Sequence, residues 1–330
     1  MHTKRKRNIF ILLFILIIAI VATLFYLNRG SDEEKIELEE PDSTYIKLGV
    51  LPTMECLPYY VAEAYGISDS LGLHLKVVPF ASSMDADTAF ANKIVDGIVS
   101  DMVKLSIFEG RGDSVSGILG GDWDLSLITS RQSRISTVKG LKDKVIANTR
   151  HSILDMYTDL TMSSSPKDSI LINTPQINSL SIRANMIRQN QIDGGILSEP
   201  YTSFCLSKGG RRISKSSDIE SLSGMYVVIF NDSVLYRKES DIEKFIKVYN
   251  SSVDYINTYR DSLKSEFLSL LDIDIKIPDS IYTIPEYRHA SVPSDVSLDK
   301  ARAWCSSHKI LGSKRKTNIV YTKPYEKYKK

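Results

Sequence analysis

Two short stretches, residues 96–101 (Asp-Gly-Ile-Val-Ser-Asp) and residues 193–199 (Asp-Gly-Gly-Ile-Leu-Ser-Glu), decide the interpretation of this sequence. Each is an apolar run that follows a segment with helical periodicity, which is typical of a buried strand. Each also begins with Asp-Gly and ends with an acid. Two such units in one chain indicate a duplicated design with two related halves.

On both sides of these stretches, short apolar runs alternate with helical patterns along the whole body of the chain. The predicted strands are 45–51, 73–80, 94–100, 117–119, 125–130, 145–148, 169–173, 193–198 and 225–230. The predicted helices are 57–64, 83–90, 152–162, 177–187, 200–205, 239–259, 263–271 and 298–307. This alternation predicts an α/β fold with largely parallel sheets.

The charges of this 330-residue chain are segregated along the sequence. The net charge is +2, but residues 1–30 hold five bases and no acid, and residues 313–330 hold seven bases and one acid. Residues 31–312 therefore carry a net charge of −9. An acidic body argues against a nucleic-acid partner, which would require a basic face.

An apolar run from Ile9 to Leu27 follows four consecutive bases near the N-terminus. Nineteen helical residues span roughly 28 Å, close to the hydrocarbon thickness of about 30 Å. The positive-inside rule predicts a cytoplasmic basic tip at 1–8, a transmembrane signal anchor at 9–27 and an acidic linker at 28–44. The body then lies outside the cell membrane, on the periplasmic side. A cleaved signal peptide is the alternative.

The three cysteines, Cys56, Cys205 and Cys305, show no CxxC or zinc-type spacing. We expect mostly buried free thiols. The basic tail, 313–330, lacks an apolar stripe, and we expect it to be flexible.

Five segments give the body a resemblance to a known family. They are residues 47–51 with 58–66, residues 72–80, the two turns 93–96 and 190–193, residues 138–146, and Ser198-Glu199-Pro200. In this order they resemble the extracytoplasmic solute-binding proteins of ABC importers for sulfonates, taurine, nitrate and thiamine-precursor pyrimidines. The resemblance covers about residues 45–312. Lys93 and Asn190 stand where the family usually has glycine.

The resemblance implies a two-lobed periplasmic-binding-protein type II fold with two crossing strands, preceded here by the membrane helix. Lobe one would be 45–128 plus 227–312, and lobe two would be 131–224. The candidate crossing strands are 126–130 and 225–229. A small ligand would lie between the lobes, and an ABC permease would be the partner.

Ligands of open α/β sheets lie beyond the carboxyl ends of strands, near helix N-termini. The candidate ligand-binding residues are Thr53, Met54, Tyr59, Ser82, Ser83, Asp101, Thr129, Arg150, His151, Ser152, Glu199 and Tyr201, with Thr149 beside them.

The candidates divide by the ligand that they favour. The two serines at 82–83 and the segment 150–152 offer hydroxyl and N–H groups to an anion, and Arg150 suits a carboxylate or sulfonate. Asp101 and Glu199 favour a cationic or amine-bearing ligand such as a pyrimidine. Tyr59 and Tyr201 could stack on a flat ring. Helix capping, a solvated arginine, surface acids and lobe packing are the structural alternatives.

Motifs of hydrolases, zinc proteases, nucleotide-binding loops and EF-hands are absent from the sequence. We therefore predict no catalytic residue, no metal site, no cofactor and no enzymatic activity. A pyrimidine-synthesising branch of the fold uses a histidine and pyridoxal phosphate, but its cysteine-rich signature is absent here. Besides a tethered solute-binding protein, the sequence leaves open a tethered ligand sensor or scaffold that acts through a membrane partner.

Overall fold

A computed structural model describes residues 44–163, 170–273, 275–278, 281–316 and 318–326. The predicted basic tip, the membrane segment at 9–27 and the linker up to residue 43 lie outside the described residues. Within the described part of the chain, no helix has both the length and the apolar character needed to cross a bilayer.

Nine strands of the described residues form two separate sheets. The strands are β1 (Ile46–Val50), β2 (Leu75–Pro79), β3 (Gly97–Asp101), β4 (Val115–Gly121), β5 (Leu125–Thr129), β6 (Ile146–Ala147), β7 (Gly194–Ser198), β8 (Arg211–Lys215) and β9 (Tyr226–Asn231). The first sheet has the order β2-β1-β3-β9-β4, and the second has the order β6-β7-β5-β8. The α/β class with two sheets is therefore confirmed.

Each sheet has a parallel part and an antiparallel part, so the prediction of largely parallel sheets is wrong. In the first sheet, β1 pairs in parallel with β2 and β3, while β9 runs antiparallel to β3 and β4. In the second sheet, β6 and β7 are parallel, and β5 runs antiparallel to β7 and β8. The carboxyl ends of β1, β2 and β3 thus share one edge of the first sheet.

The chain passes between the two sheets twice. It leaves the first sheet after β4 and enters the second at β5, through residues 122–124. It returns through residues 216–225, between β8 and β9. The two strands predicted as crossings each lie within one sheet, and the crossings are these connecting segments.

Twelve helices are described. They are α1 (Leu57–Ala64), α2 (Ile67–Ser70), α3 (Ser83–Ala91), α4 (Met102–Arg111), α5 (Ile153–Ser163), α6 (Leu180–Arg188), α7 (Tyr201–Ser207), α8 (Asp232–Arg237), α9 (Glu239–Tyr259), α10 (Lys264–Ser269), α11 (Asp295–Ser307) and α12 (Lys323–Glu326). Some of them begin at a residue whose side chain caps the helix. The hydroxyl of Ser82 accepts from the backbone N–H of Asp85 and so caps α3, and Ser179 caps α6 in the same way through Ile182.

Helices α5 and α11 connect the part of the chain around the second sheet to the part around the first. Asp159 on α5 accepts a hydrogen bond of 3.1 Å from Trp304 Nε1 on α11. The same carboxylate lies 2.6 Å from His308 Nε2. Further along, Ile275 packs against the core cluster of the second sheet, although it follows α10 in the chain.

The C-terminal segment differs from the prediction of a flexible tail. Ile319 and Val320 are buried, and Val320 forms a parallel bridge with Gly117 of β4. Lys316 Nζ lies 2.5 Å from the carboxylate of Asp232. Two buried apolar residues, an ion pair and backbone hydrogen bonds with Gly117 hold this segment on the first sheet, in spite of its basic composition.

The three cysteines are free and buried, as expected. Burial raises the pKa of each thiol, for Cys56 to about 12. At neutral pH they are protonated, and they behave as small core residues.

Candidate functional site

The loops that follow β1 and β7 meet at the seam between the two sheets. The backbone N–H of Met54 donates to the carbonyl oxygen of Glu199 at 3.0 Å. The hydroxyl of Tyr287 donates to the carbonyl oxygen of Met54 at 2.7 Å, and the Tyr282 hydroxyl lies 2.9 Å from Met54 Sδ. Met54 is therefore buried under two tyrosines, and its backbone links the two halves.

A group of carboxylates surrounds this contact. Burial raises the pKa of Glu55 to about 8. A hydrogen bond from the Thr53 side chain opposes the shift, while the charges of Asp124 and Glu199 add to it. Burial also raises the pKa of Glu199, although this carboxylate accepts from the N–H of Ser203 at 3.0 Å and lies 3.8 Å from Arg212 Nη2. Glu55 is therefore largely neutral at pH 7.

Several buried polar atoms near this seam have no hydrogen-bond partner within the described residues. They are Oε2 of Glu55, the hydroxyl oxygens of Tyr60 and Ser198, and Nε of Arg212. A buried polar group without a partner costs about 1–3 kcal/mol. The seam thus has unused capacity to bind a polar molecule.

Asp101 lies at the end of β3 and faces the second half of the molecule. Its carboxylate accepts from the backbone N–H of Lys104 at 3.0 Å and so caps α4. Burial raises its pKa to about 6, while hydrogen bonds from the backbones of Lys104 and Ile153 lower it. Because Ile153 begins α5, this buried carboxylate connects the starts of two helices from different halves.

A cavity of about 450 Å³ opens between α3, α4 and the loop that joins β6 to α5. Its walls are Met84, Asp87, Thr88, Ala91, Asn92, Lys104, Ile107, Phe108, Arg111, Thr149, Arg150, His151 and Gln176. The walls therefore come from both halves of the molecule. This volume is within the range of small-molecule sites in proteins.

The cavity carries an excess of positive charge. Lys104 Nζ lies 2.5 Å from the carboxylate of Asp87, so these two charges compensate each other. Arg111 lies 6.0 Å from the centre of the Phe108 ring and forms no ion pair within the described residues, and Arg150 is likewise unpaired there. Two guanidinium groups beside apolar wall residues suit a small anion with an apolar part.

The loop of residues 149–152 has the sharp turn that its sequence requires. His151 has a φ of +55°, and its N–H donates to the carboxylate of Asp155 at 2.9 Å. The Ser152 hydroxyl donates to the carbonyl oxygen of Thr149 at 2.6 Å. These bonds leave Arg150 and His151 exposed at the cavity mouth.

The structure brings only some of the predicted site residues together. Arg150 and His151 line the cavity, while Met54 and Glu199 meet at the seam, with Thr53 beside them through Glu55. Asp101 lies at the start of α4 and Ser152 behind the cavity loop. Ser83 is half-buried as the first residue of α3, after Ser82.

Four predicted residues lie in a helix cap, in the core clusters or in a strand pair. The hydroxyl of Ser82 caps α3, because it accepts from the backbone N–H of Asp85 at 3.3 Å, and it also donates to the Asp85 carboxylate at 2.7 Å. Tyr59 is in the core, with its hydroxyl 2.8 Å from that of Tyr226. Tyr201 is buried in the second core cluster. Thr129 pairs with Gly194, at the opposite end of β7 from Ser198.

The sequence interpretation missed Lys104, Arg111 and Gln176. Helix α4 was not predicted. Its buried residues include the polar Ser106 and Glu109, which interrupt the apolar pattern of the sequence. Within the described residues, no group of three or more His, Cys, Asp or Glu side chains is arranged to hold a metal ion.

Comparisons with known proteins place this geometry in context. No protein-family model matches the sequence, and no curated protein sequence matches it. Solved structures do match. One is a ligand-binding component of an ABC-type import system from Staphylococcus aureus with zinc bound, with a TM-score of 0.70 and 12% identity, covering 86% of this chain and 98% of that one.

Two further solved structures extend the comparison. The periplasmic aliphatic sulphonate binding protein SsuA from Escherichia coli has a TM-score of 0.68 and 11% identity, covering 85% of this chain and 98% of that chain. The periplasmic nitrate-binding protein NrtA from Synechocystis has a TM-score of 0.60 and 11% identity, covering 77% and 74%. The resemblance predicted from the sequence is thus confirmed at the level of the fold.

Proposed function

We propose that this chain is a solute-binding protein that captures a small anionic solute between its two halves and delivers it to an ABC permease. The observation that carries the proposal is the 450 Å³ cavity, because both halves build it and Arg111 and Arg150 give it excess positive charge. Closure around a ligand is stabilised by contacts that both halves make at once.

The fold of the solved neighbours supports the same class of function. Two of those proteins are named as binding proteins for aliphatic sulphonate and for nitrate, and the third is named as a ligand-binding component of an ABC-type import system. A fold alone does not fix a ligand, so the proposal depends on the cavity.

The proposal is tested by isothermal titration of the full chain, purified in detergent, against methanesulfonate, taurine, nitrate and an aminopyrimidine. We expect at least one of the anions to bind. Arg150→Gln should weaken that anion roughly tenfold or more, because a charged hydrogen-bond donor is lost.

Arg188→Gln is the matched control, because Arg188 is an exposed arginine on α6 that does not line the cavity. Its anion affinity should equal that of the wild type. If the aminopyrimidine alone binds, the proposal of an anionic ligand is contradicted, and the carboxylates at the seam become the candidate site. If none of the four compounds binds, the proposal is contradicted.

We also propose that residues 9–27 anchor the protein in the cell membrane, with the body on the periplasmic side. The full chain should stay in the membrane fraction after an alkaline carbonate wash, and a variant without residues 1–43 should be released. Affinity capture should recover a permease. Recovery of a kinase or cyclase would favour the sensor instead.

A further inference from the structure

Arg183 is a fully buried arginine on α6, with 0% of its surface exposed. Within the described residues, no carboxylate forms an ion pair with it, and burial is the one cause acting on its pKa, which is lowered to about 9. The guanidinium is therefore still charged at pH 7. A buried charge without a counter-charge is costly, so its presence calls for a reason.

The donors of Arg183 all go to neutral oxygen atoms. Nη1 donates to the carbonyl oxygen of Ile196 on β7 at 2.5 Å, and Nε donates to the carbonyl oxygen of Ile177 at 3.1 Å. Nη2 donates to the hydroxyl oxygen of Thr149 at 2.7 Å and also to Ile177. The arginine thus fixes β7 and two loops relative to each other, and its charge stays uncompensated.

Thr149 connects this charge to the cavity. It lines the cavity wall, although only 3% of its surface is exposed. Because its hydroxyl oxygen accepts from Arg183, which has no acceptor atom, the hydroxyl proton is available for another group. No acceptor for that proton is found among the described residues.

The architecture itself does not require an arginine at this position. The residue at the corresponding place on α3, 97 positions earlier, is Ala86, which is buried in an apolar core. Space for the arginine comes from Gly195, where an added Cβ would lie 2.9 Å from Arg183 Cδ. The corresponding residue of the first half is Ile98. The second half has thus made room for a charge that the first half lacks.

We propose that Arg183 is a positioning residue that, through the hydroxyl of Thr149, makes the cavity selective for an oxyanion over a neutral molecule of the same shape. This inference rests on the proposed function, because it concerns the same cavity. The bound oxyanion accepts the hydroxyl proton of Thr149, and the guanidinium behind it polarises that hydroxyl.

The test compares two probes of equal shape, methanesulfonate and dimethyl sulfone, by isothermal titration of the full chain. In the wild type we expect the anion to bind at least tenfold more tightly than the neutral sulfone. Thr149→Val removes the hydroxyl at nearly constant volume and should weaken methanesulfonate roughly tenfold or more. Thr149→Ser keeps the hydroxyl and should restore most of that affinity.

Arg183→Gln tests the contribution of the charge, since glutamine still donates to a carbonyl oxygen. It should lower the affinity for methanesulfonate and leave that for dimethyl sulfone unchanged. A purely structural role would lower both affinities together. If Arg183→Gln does not fold, the Thr149 pair still decides the inference.

The outcomes separate this inference from the proposed function. A wild type that binds methanesulfonate, with an equal affinity in Thr149→Val, overturns the inference and leaves the proposed function standing. A wild type that binds the sulfone as tightly as the anion also overturns the inference. A wild type that binds neither these probes nor any compound of the earlier panel overturns both.

Discussion

The two halves of the molecule use one local design at a constant spacing of 97 residues. The helix-capping serines are Ser82 and Ser179, and the left-handed residues after the helices are Lys93 and Asn190, with φ of 59° and 58°. The strands that follow begin at 97 in the first half and 194 in the second. This regularity supports a duplicated origin for the two units.

The duplicated design extends to individual hydrogen bonds. The carboxylate of Asp96 accepts from the backbone N–H of Lys47 at 2.9 Å, and the carboxylate of Asp193 accepts from that of Val145, also at 2.9 Å. Each aspartate thus ties the turn before its strand to the neighbouring parallel strand. The aspartates of the two Asp-Gly pairs in the sequence are the acceptors of these hydrogen bonds.

The interiors of the two halves differ. The first half has the buried apolar residues Ala86 and Ile98, and the second half has Arg183 and Gly195 at the corresponding places. The same helix–turn–strand unit forms with Ala86 and Ile98 or with Arg183 and Gly195. The unit therefore does not need a buried arginine in order to form. The second half thus differs from the first by a buried positive charge, which donates to the loops that hold Thr149 and Ile177.

The largest expected effect on the free energy of unfolding comes from removing the buried arginine of the second half. Arg183→Met leaves the Ile177 and Ile196 carbonyls and the Thr149 hydroxyl without a donor. We expect a loss of about 3 kcal/mol in the free energy of unfolding, which is the cost of several unsatisfied buried acceptors minus the relief of burying a charge. Urea unfolding followed by circular dichroism measures it.

Arg188→Met is the control on the same helix, and it should change the free energy of unfolding by less than about 0.5 kcal/mol, because Arg188 is exposed. If Arg183→Met unfolds with the same free energy as this control, the hydrogen bonds of the buried arginine do not stabilise the second half.

The second effect concerns the strand ends, where Asp101 corresponds to Ser198. The native pKa of Asp101 is about 6, above the unfolded value of 3.8, so the native state binds more protons between these values. Stability therefore falls as the pH rises from about 4 to 6. Asp101→Asn should gain on the order of 2–3 kcal/mol relative to the wild type between pH 4 and 7.

The control is Ser198→Ala, which removes a hydroxyl without a partner and titrates nothing. Its difference from the wild type in urea unfolding should stay constant across the same pH range. A constant difference for Asp101→Asn as well would show that the Asp101 carboxyl is not perturbed at the seam.

Most of the fold follows from the sequence because its elements bury one face. Helix α9 matches its predicted bounds, 239–259, since its apolar residues recur at helical spacing. Strand β8 was missed because its sequence, Arg-Arg-Ile-Ser-Lys, is polar and holds one apolar residue. The buried C-terminal segment was missed because Ile319 and Val320 are a short apolar run in a basic sequence, and its backbone hydrogen bonds with Gly117 and its ion pair with Asp232 depend on tertiary contacts.

The candidate site was less accessible from the sequence. Strand ends indicate which loops meet, but they do not tell which side chains of a loop face the seam. The burial of Tyr59 and Tyr201 in the core clusters could not be predicted from them. The burial of Arg183 has a signal in the sequence. This residue falls between Leu180 and Ala184 on the predicted apolar face of α6, where a charge is anomalous.

The third effect tests whether the two aspartates are equivalent. Asp96→Ala and Asp193→Ala each leave a partly buried N–H without its acceptor, and each should lose about 1–2 kcal/mol in the free energy of unfolding by urea. Asp96 also lies 3.8 Å from Lys238 Nζ, so its loss should be larger by less than about 1 kcal/mol. A loss in one half alone would break the equivalence.

The smallest effect separates the two left-handed turns. Lysine is disfavoured at positive φ, whereas asparagine tolerates it. Lys93→Gly should therefore raise the free energy of unfolding by about 0.5–1 kcal/mol. Asn190→Gly should change it little, because Asn190 is already suited to the turn and its side chain also accepts from Gln132 N at 3.2 Å. Equal gains in the two variants, measured by urea unfolding, would show that the residue type does not distinguish the turns.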